Sequence, residues 1–133
     1  MQVVVFKVNE EQFAVEASKV QSINDMMEIT SVPKSADYIK GLINLRGTII
    51  SLLDINLLLD IEKAEGTQEN IIILNLQEEA VGVTVDQVDE VLEIEEELIE
   101  KVETDRAKTY IKGVINFKDR IVTLIDIGKL IER

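Results

Sequence analysis

The chain has 133 residues, 46% of them hydrophobic and 30% charged, and its 26 acidic and 14 basic residues give a net charge of −12. The composition is ordinary for one globular domain, but so large a negative charge repels phosphate groups, which disfavours nucleic acid and anionic lipid as partners. Cysteine and histidine are absent, which excludes thiol nucleophiles, disulfides, Ser-His-Asp triads and ordinary zinc sites, so we expect no metal and no cofactor.

The chain also lacks membrane and export signals. Its longest apolar runs fall far short of the roughly 18 residues that a membrane-spanning helix needs, and a strand pattern begins directly at the N-terminus. We therefore expect a cytoplasmic protein that is not inserted into a membrane.

The first predicted element is a hairpin. Gln2–Val8 is rich in β-branched residues, and residues 12–15 resume the pattern after a polar turn. Ser18 then stands where a short helical turn takes an N-cap, and Asp86 has the same position later in the chain. We therefore expect a capped turn at each of these two residues.

A second predicted hairpin has a two-residue turn. Ile39–Leu45 and residues 48–53 are apolar runs separated by Arg46 and Gly47. Glycine can adopt the positive φ that such turns require, so the pattern is typical of a tight hairpin. The corresponding turn of the second half falls at residues 118–119.

Two aspartates follow apolar strands and precede short helical segments. Asp54 is placed to cap Ile55–Leu59, and Asp126 is placed to cap Ile127–Ile131. Between them, Asn70–Leu76 is a nearly continuous apolar run, which is typical of a strand covered on both faces.

The chain contains an internal repeat. Residues 38–59 recur at 110–131, with 11 of 22 aligned residues identical at a shift of 72 positions. Residues 6–23 match 74–91 at a shift of 68, with their apolar positions coinciding. The period is too long for a solenoid. The repeat therefore predicts two similar units related by a pseudo-twofold axis.

The repeat and the strand pattern together predict the fold class. Each unit, approximately residues 1–65 and 66–133, shows about five short strands and one short helix at its end. This pattern is typical of an all-β fold with two small barrels rather than one sandwich. A unit of this length buries a thin core alone, so we expect the two units to share an apolar interface.

Residues 86–105 form an acidic stretch with ten carboxylates and one lysine. Its spacing does not match an EF-hand loop. We interpret it mainly as a solvated surface, with a patch for cations or a basic partner as the alternative.

A family resemblance rests on the first long repeat. Residues 43–54 read INLRGTIISLLD, and they follow the Val-Pro pair of residues 32–33 and the YIKG motif of residues 38–41. This pattern closely resembles the CheW family of bacterial chemotaxis coupling proteins. The similarity covers nearly the whole chain, including the hairpin at 3–15 and the segment 86–88.

The resemblance implies a fold and a role. The fold would be one CheW-like domain over residues 1–133, made of two five-stranded SH3-like barrels related by a pseudo-twofold, with short helices at the ends of the units. The role would be a non-enzymatic scaffold. Its partners would be the regulatory domain of a chemotaxis histidine kinase and the cytoplasmic tip of a methyl-accepting chemoreceptor, so the protein would join membrane receptor arrays only through partners.

The resemblance also assigns candidate sites by position. Receptor contacts fall on Val20, Arg46, Val88 and Val91, and kinase contacts fall on Gly41, Asn44 and Gly47. Arg46 has a second interpretation as a solvated turn charge, and Val20 and Val88 have one as core valines. Gly41 recurs as Gly113, which indicates a backbone requirement common to both units.

Two alternative functions are left open by the sequence. The chain could be a coupling domain excised from a larger receiver-fused adaptor or kinase. It could also be an aspartic-type hydrolase that brings Asp54 and Asp126 together as a proton-sharing pair. Neither aspartate is followed by the hydroxyl residue of such sites, and capping explains both.

Overall fold

The computed structural model describes residues 1–64, 66, 68–77, 79–102 and 109–131. In the described first half the strands are β1 (Gln2–Val8), β2 (Glu11–Glu16), β3 (Val20–Asp25), β4 (Ile39–Leu45) and β5 (Thr48–Asp54). In the second they are β6 (Asn70–Leu76), β7 (Glu79–Val85), β8 (Gln87–Glu93), β9 (Ile99–Glu100), β10 (Ile111–Asn116) and β11 (Ile121–Ile125). The helices are α1 (Ile55–Leu59) and α2 (Ile127–Ile131), with 3₁₀ turns at Ala17–Lys19 and Glu96–Leu98. The all-β prediction is confirmed.

The strands form two sheets that exchange their first hairpins. One sheet has the order β8-β1-β2-β11-β10-β9 and the other has the order β3-β6-β7-β5-β4. The hairpin β1-β2 therefore lies among strands of the second half, and β6-β7 lies among strands of the first. Parallel pairs, β2 with β11 and β7 with β5, join the exchanged hairpins to their host strands. The predicted boundary near residue 65 thus describes the sequence repeat, and neither sheet is confined to one side of it.

The two sheets are equivalent under the repeat. Replacing each strand of the five-stranded sheet by its repeat mate gives the order β8-β1-β2-β11-β10 of the other sheet. The extra strand β9 also has a counterpart, because Glu100 pairs with Val114 whereas Thr30 forms an isolated bridge with Leu42. In both sheets the chain leaves one edge strand and returns to pair at the opposite edge, so each sheet curls around its own interior.

Alternation along the central strands builds three apolar clusters. In β1, Val3 and Val5 face a cluster inside the six-stranded sheet, whereas Val4 and Phe6 face a cluster shared by the two sheets. Successive side chains of a strand point to opposite faces, so a strand buried on both faces needs a continuous apolar run. Each fully buried aliphatic or aromatic side chain contributes about 1.5–3 kcal/mol.

The same rule explains the predicted two-faced strand β6. Ile71 and Ile73 face the interior of the five-stranded sheet, and Ile72 and Leu74 join the shared cluster. All four side chains are fully buried. The predictions of a strand covered on both faces and of an apolar interface shared by the units are confirmed.

The recurring glycines lie where two backbones approach closely. A Cβ on Gly41 would lie 2.4 Å from the carbonyl oxygen of Thr30, and the φ of Gly41 is 151°. A Cβ on Gly113 would lie 2.6 Å from Ile99 Cγ2 and 2.8 Å from the carbonyl oxygen of Glu100. Both glycines therefore allow the returning segment to pair with its strand, which confirms the common backbone requirement.

The capping predictions divide into two right and two wrong. Asp54 Oδ1 accepts hydrogen bonds from the backbone N–H groups of Asn56 and Leu57, and Asp126 Oδ1 accepts one from Lys129. Ser18 instead lies inside the 3₁₀ turn Ala17–Lys19, which has no side-chain cap. Asp86 caps no helix, since its carboxylate accepts from the backbone N–H of Asn9 at 2.7 Å.

Candidate docking surfaces

The tip of the β4-β5 hairpin presents an exposed arginine on a tight turn. Leu45 pairs with Thr48 across the two turn residues, Arg46 with φ 54° and Gly47 with φ 87°. Positive φ at both positions is typical of a type I′ turn, whose twist matches that of the strands. Asn44 Oδ1 accepts a hydrogen bond from the backbone N–H of Gly47 at 2.8 Å, which fixes the turn. The predicted two-residue turn is confirmed.

The tip of the β10-β11 hairpin holds its arginine against the protein instead. Arg120 donates to Glu90 Oε1 at 2.5 Å and lies 5.1 Å from the centre of the Phe117 ring. The hydrogen bond to Glu90 raises the pKa of Arg120 above its usual value, so the group stays charged. Within the described residues Arg46 is in no ion pair, so the two hairpins display their cations differently.

Both hairpins expose an isoleucine at the same repeat position. Ile49 has 61% of its surface exposed, and Ile121, its mate at a shift of 72, has 60% exposed. Single exposed apolar residues are common on protein surfaces. Their recurrence at equivalent places is the signal that identifies them as candidate contact residues, and sequence reasoning missed both.

A third candidate surface runs along β3 and β8, the edge strands from which the chain leaves each sheet. Val20 and Val88 are half-buried and pack against the shared cluster, as the core interpretation of these valines expects. Val91 is 54% exposed, and its repeat mate Ile23, which sequence reasoning missed, is 40% exposed. Asn70 links the two strands, because its Oδ1 accepts from Val88 N at 3.0 Å and its Nδ2 donates to the carbonyl oxygen of Asn24 at 3.5 Å.

The predicted site residues thus fall into separate groups. Arg46 shares one turn with Asn44 and Gly47, although the resemblance assigns it to a different partner. Val88 and Val91 share β8, whereas Val20 begins β3 of the other sheet. Gly41 is buried in β4, beside Thr30. The assignment of these residues to receptor or kinase stays a prediction.

Comparisons with known proteins agree over the whole chain. The family model described as a CheW-like domain matches residues 2–133. The chain belongs to the CheW-like family. The chemotaxis protein CheW of Thermotoga maritima is 31% identical over 132 residues, covering 98% of this chain and 87% of that protein. The chemotaxis protein CheW of Bacillus subtilis is 30% identical, covering 98% and 86%.

A solved CheW structure has the same fold. The crystal structure of the scaffolding protein TtCheW from Thermoanaerobacter tengcongensis superimposes with a TM-score of 0.90 and 29% identity, covering 99% of this chain and 88% of that one. The CheW-like fold therefore extends across both sheets. Whether this domain was excised from a larger protein stays a prediction that the length of the intact reading frame would test.

In this CheW-like domain, four carboxylates of the acidic stretch form hydrogen bonds or ion pairs with other parts of the chain. Asp86 binds the backbone of Asn9, Asp89 accepts from Gln12, Glu90 binds Arg120, and Glu93 lies 3.0 Å from the N-terminal amino group. Residues 95–97 are exposed, and residues 103–105 lie outside the described part of the chain. Among the described residues no group of three or more acidic side chains could hold a metal ion.

The two capping aspartates of the domain have local partners. Besides its capping bonds, Asp54 lies 3.2 Å from Lys63 Nζ, and the side chain is almost fully buried. Within the described contacts no hydrogen bond joins Asp54 to Asp126, whereas a proton-sharing pair must lie in direct contact. No observation favours the hydrolase alternative.

The described helices include none that is long and apolar enough to cross a membrane.

Proposed function

We propose that this chain is a non-enzymatic adaptor of bacterial chemotaxis that couples chemoreceptors to the chemotaxis histidine kinase. The observation that carries the proposal is the match of residues 2–133 to the CheW-like domain, together with the TM-score of 0.90 to the scaffolding protein TtCheW. Its relatives in Thermotoga maritima and Bacillus subtilis are named chemotaxis proteins.

The receptor surface in this proposal is the face of β3 and β8. Ile23 and Val91 supply exposed apolar anchors above the half-buried Val20 and Val88. An amphipathic helix, such as the cytoplasmic tip of a methyl-accepting receptor, binds such a face through residues spaced three or four apart. Arg46, the remaining member of the proposed receptor set, adds a cation from the hairpin tip.

The kinase surface in this proposal is the β4-β5 hairpin. Asn44 and Gly47 shape its turn, Gly41 keeps β4 in register with Thr30, and Ile49 adds an exposed apolar contact. The partner is the regulatory domain of the kinase, which has the same fold in the family that the sequence resembles. The protein works in the cytoplasm and reaches receptor arrays only through these two partners.

A titration with each purified partner tests the proposal. We expect the chain to bind both a kinase regulatory domain and a receptor tip fragment. Arg46→Ala should weaken receptor binding by about 2 kcal/mol, roughly 30-fold, which is the scale of an interface hot spot. Val91→Arg should abolish receptor binding and leave kinase binding intact, because Val91 is exposed and its replacement leaves the core unchanged.

Lys118→Ala, on the other hairpin turn, is the matched control for Arg46→Ala and should change neither affinity. Unchanged receptor binding by Arg46→Ala and Val91→Arg would remove the receptor site and leave the adaptor role. Failure to bind either partner would remove the adaptor role itself.

A further inference from the structure

An open cleft lies beside α2 and adjoins the start of β3, since its lining includes Lys19 and Leu74, the strand partner of Val20. It has a volume of about 790 Å³, which is within the range of roughly 300–1,000 Å³ typical of ligand pockets. Leu76 and Ile131, which are partly exposed, contribute apolar surface to it. Its charged lining includes Lys112 and Asp126. Apolar surface with a few placed charges is the usual composition of a binding cleft.

The repeat identifies the equivalent place in the first half, and there the protein fills it with its own chain. The described residues of the connection between the halves, 60–64, 66, 68 and 69, include Glu62 and Gln68, which contact Asn56 of α1. Gln68 Oε1 accepts from Lys40 Nζ at 2.8 Å, and Lys63 Nζ lies 3.2 Å from Asp54. Ile61 packs against the shared cluster and lines a different cleft, with Phe13 and Tyr110. One cation and one amide therefore occupy this place.

Asn56 completes the filled site. Its Nδ2 donates to the carbonyl oxygen of Glu62 at 3.2 Å, and its Oδ1 accepts from Gln68 Nε2 at 2.9 Å. Asn56 is 2% exposed. The side chain thus binds the connection at two points and is covered by it.

The residues that hold the connection have repeat mates in the open cleft. Lys40 corresponds to Lys112 and Asp54 corresponds to Asp126, both at a shift of 72. Gly128 takes the place of Asn56 and has no side chain there. A Cβ on Gly128 would lie 3.2 Å from Asp126 Oδ1 and 3.9 Å from Leu76 Cδ2, two side chains that line the cleft. Among the described residues, the recognition groups are therefore present without the segment that they bind in the other half.

We propose that the cleft beside α2 binds an extended segment of a partner protein with a basic residue and, five positions later, a glutamine or glutamate. This is the spacing of Lys63 and Gln68 in the connection. The basic residue binds Asp126, and the amide or carboxylate binds Lys112. Glu16 already accepts one hydrogen bond from Lys112, and an ammonium group has two further protons to donate.

Binding of a free segment should be weak. The connection is covalently attached, and a short attached segment acts at an effective concentration in the millimolar range. A free peptide must reach a comparable concentration in solution to occupy the cleft. We therefore expect a dissociation constant on the order of 1 mM for an isolated peptide. A partner protein would add contacts elsewhere on its surface.

An NMR titration with a synthetic peptide of residues 60–70, DIEKAEGTQEN, tests the proposal. We expect chemical-shift changes confined to residues 15–19, 74–77, 79, 112 and 125–131, around the lining of the cleft. Lys112→Gln in the protein, or replacement by alanine of the peptide residue corresponding to Gln68, should weaken binding at least about fivefold, the effect of one lost charge-assisted hydrogen bond. Lys118→Gln removes the same charge at the hairpin tip and should leave the affinity unchanged.

Gly128→Leu should also abolish binding, because its side chain would extend over Leu76 and fill the cleft. A preserved backbone spectrum shows that this variant is folded, and Lys112→Gln provides an independent test. Absence of shift changes at millimolar peptide would overturn the proposal. So would changes around Lys40 and α1, which would show displacement of the connection instead. Concentration-dependent dimers that Gly128→Leu abolishes would identify a second copy as the occupant and would also overturn it.

Discussion

The two helices α1 and α2 end equivalent halves but have different surroundings. Around α1, Asp54 and Asn56 are 3% and 2% exposed, because the connection between the halves covers them. Around α2, their mates Asp126 and Gly128 are partly exposed and line an open cleft. The same strand, cap and helix pattern thus produces one covered site and one open site.

The connection accounts for this difference. It follows α1 and contacts Asp54 and Asn56, whereas among the described residues the equivalent place beside α2 is an open cleft. Burial under the connection lowers the pKa of Lys40, an effect that the Lys63 ammonium strengthens and Asp54 opposes. The repeat therefore places equivalent residues around α1 and α2, whereas the connection determines which of these residues face solvent.

The largest expected effect on stability comes from adding a methyl group at Gly41, a glycine that recurs in the second half as Gly113. Gly41→Ala should destabilise the protein by about 3 kcal/mol or more, because the new Cβ would meet the carbonyl oxygen of Thr30 at 2.4 Å and φ is 151°. Gly113→Ala should cost less, about 2 kcal/mol, because its φ lies outside the left-handed region, although its Cβ would still meet the carbonyl oxygen of Glu100 at 2.8 Å. Urea unfolding measures both free energies.

Gly128→Ala is the matched control for these two variants. Its Cβ would meet only side-chain atoms outside the helix backbone, the nearest being Asp126 Oδ1 at 3.2 Å, and the residue lies in α2, where alanine is the better helix former. Its stability should stay within about 0.5 kcal/mol of the parent chain. If all three variants behaved alike, the close approach of the returning segments would not explain the recurring glycines.

The next effect tests the asymmetry between the helices. Asn56→Gly gives α1 the residue that α2 has, and it should cost about 2 kcal/mol because Gln68 and the carbonyl of Glu62 lose their partner. The reciprocal change, Gly128→Asn, should be nearly neutral since no connection lies there to bind. Thermal unfolding of the two variants measures the difference. Equal costs would show that the connection contributes nothing through Asn56.

Much of this fold was predictable because local rules determine it. The continuous apolar run Asn70–Leu76 indicated burial on both faces, Asp54 and Asp126 indicated helix starts, and Arg46-Gly47 indicated a tight turn. These features depend on neighbours within a few residues, which is the range over which periodicity and capping act.

The features that sequence reasoning missed depend on distant residues. The repeat is equally compatible with a β1-β2 hairpin that pairs inside its own half or with the other half, so the exchange was not visible. Asp86 was misassigned as a cap because its partner, Asn9, lies 77 residues away. The exposure of Ile49 and Ile121 was also hidden, since an apolar residue in a strand is ordinarily predicted to face a core.

A smaller effect on stability distinguishes the turn of the β4-β5 hairpin from the turn of the β10-β11 hairpin. Arg46 adopts a φ of 54°, a conformation that asparagine tolerates better than arginine, whereas no positive φ occurs at Lys118 or Asp119. Arg46→Asn should therefore stabilise the protein by about 0.5 kcal/mol, and Lys118→Asn should not. Denaturant midpoints measure the change. Destabilisation by Arg46→Asn would indicate that the arginine side chain makes contacts that stabilise the fold.

The smallest effect on stability concerns the exposed isoleucines. Ile49→Thr and Ile121→Thr keep a β-branched side chain on surfaces that are 61% and 60% exposed, so each should change the free energy of unfolding by less than about 0.5 kcal/mol. If the β4-β5 hairpin contacts the kinase domain, Ile49→Thr should weaken that binding about fivefold, the equivalent of about 1 kcal/mol, whereas Ile121→Thr should leave it unchanged. Calorimetric titration of both variants, each serving as the control for the other, measures this. Equal weakening would mean that the two hairpins are interchangeable as contact surfaces for the kinase domain, although their turns differ in conformation and in the pairing of their arginines.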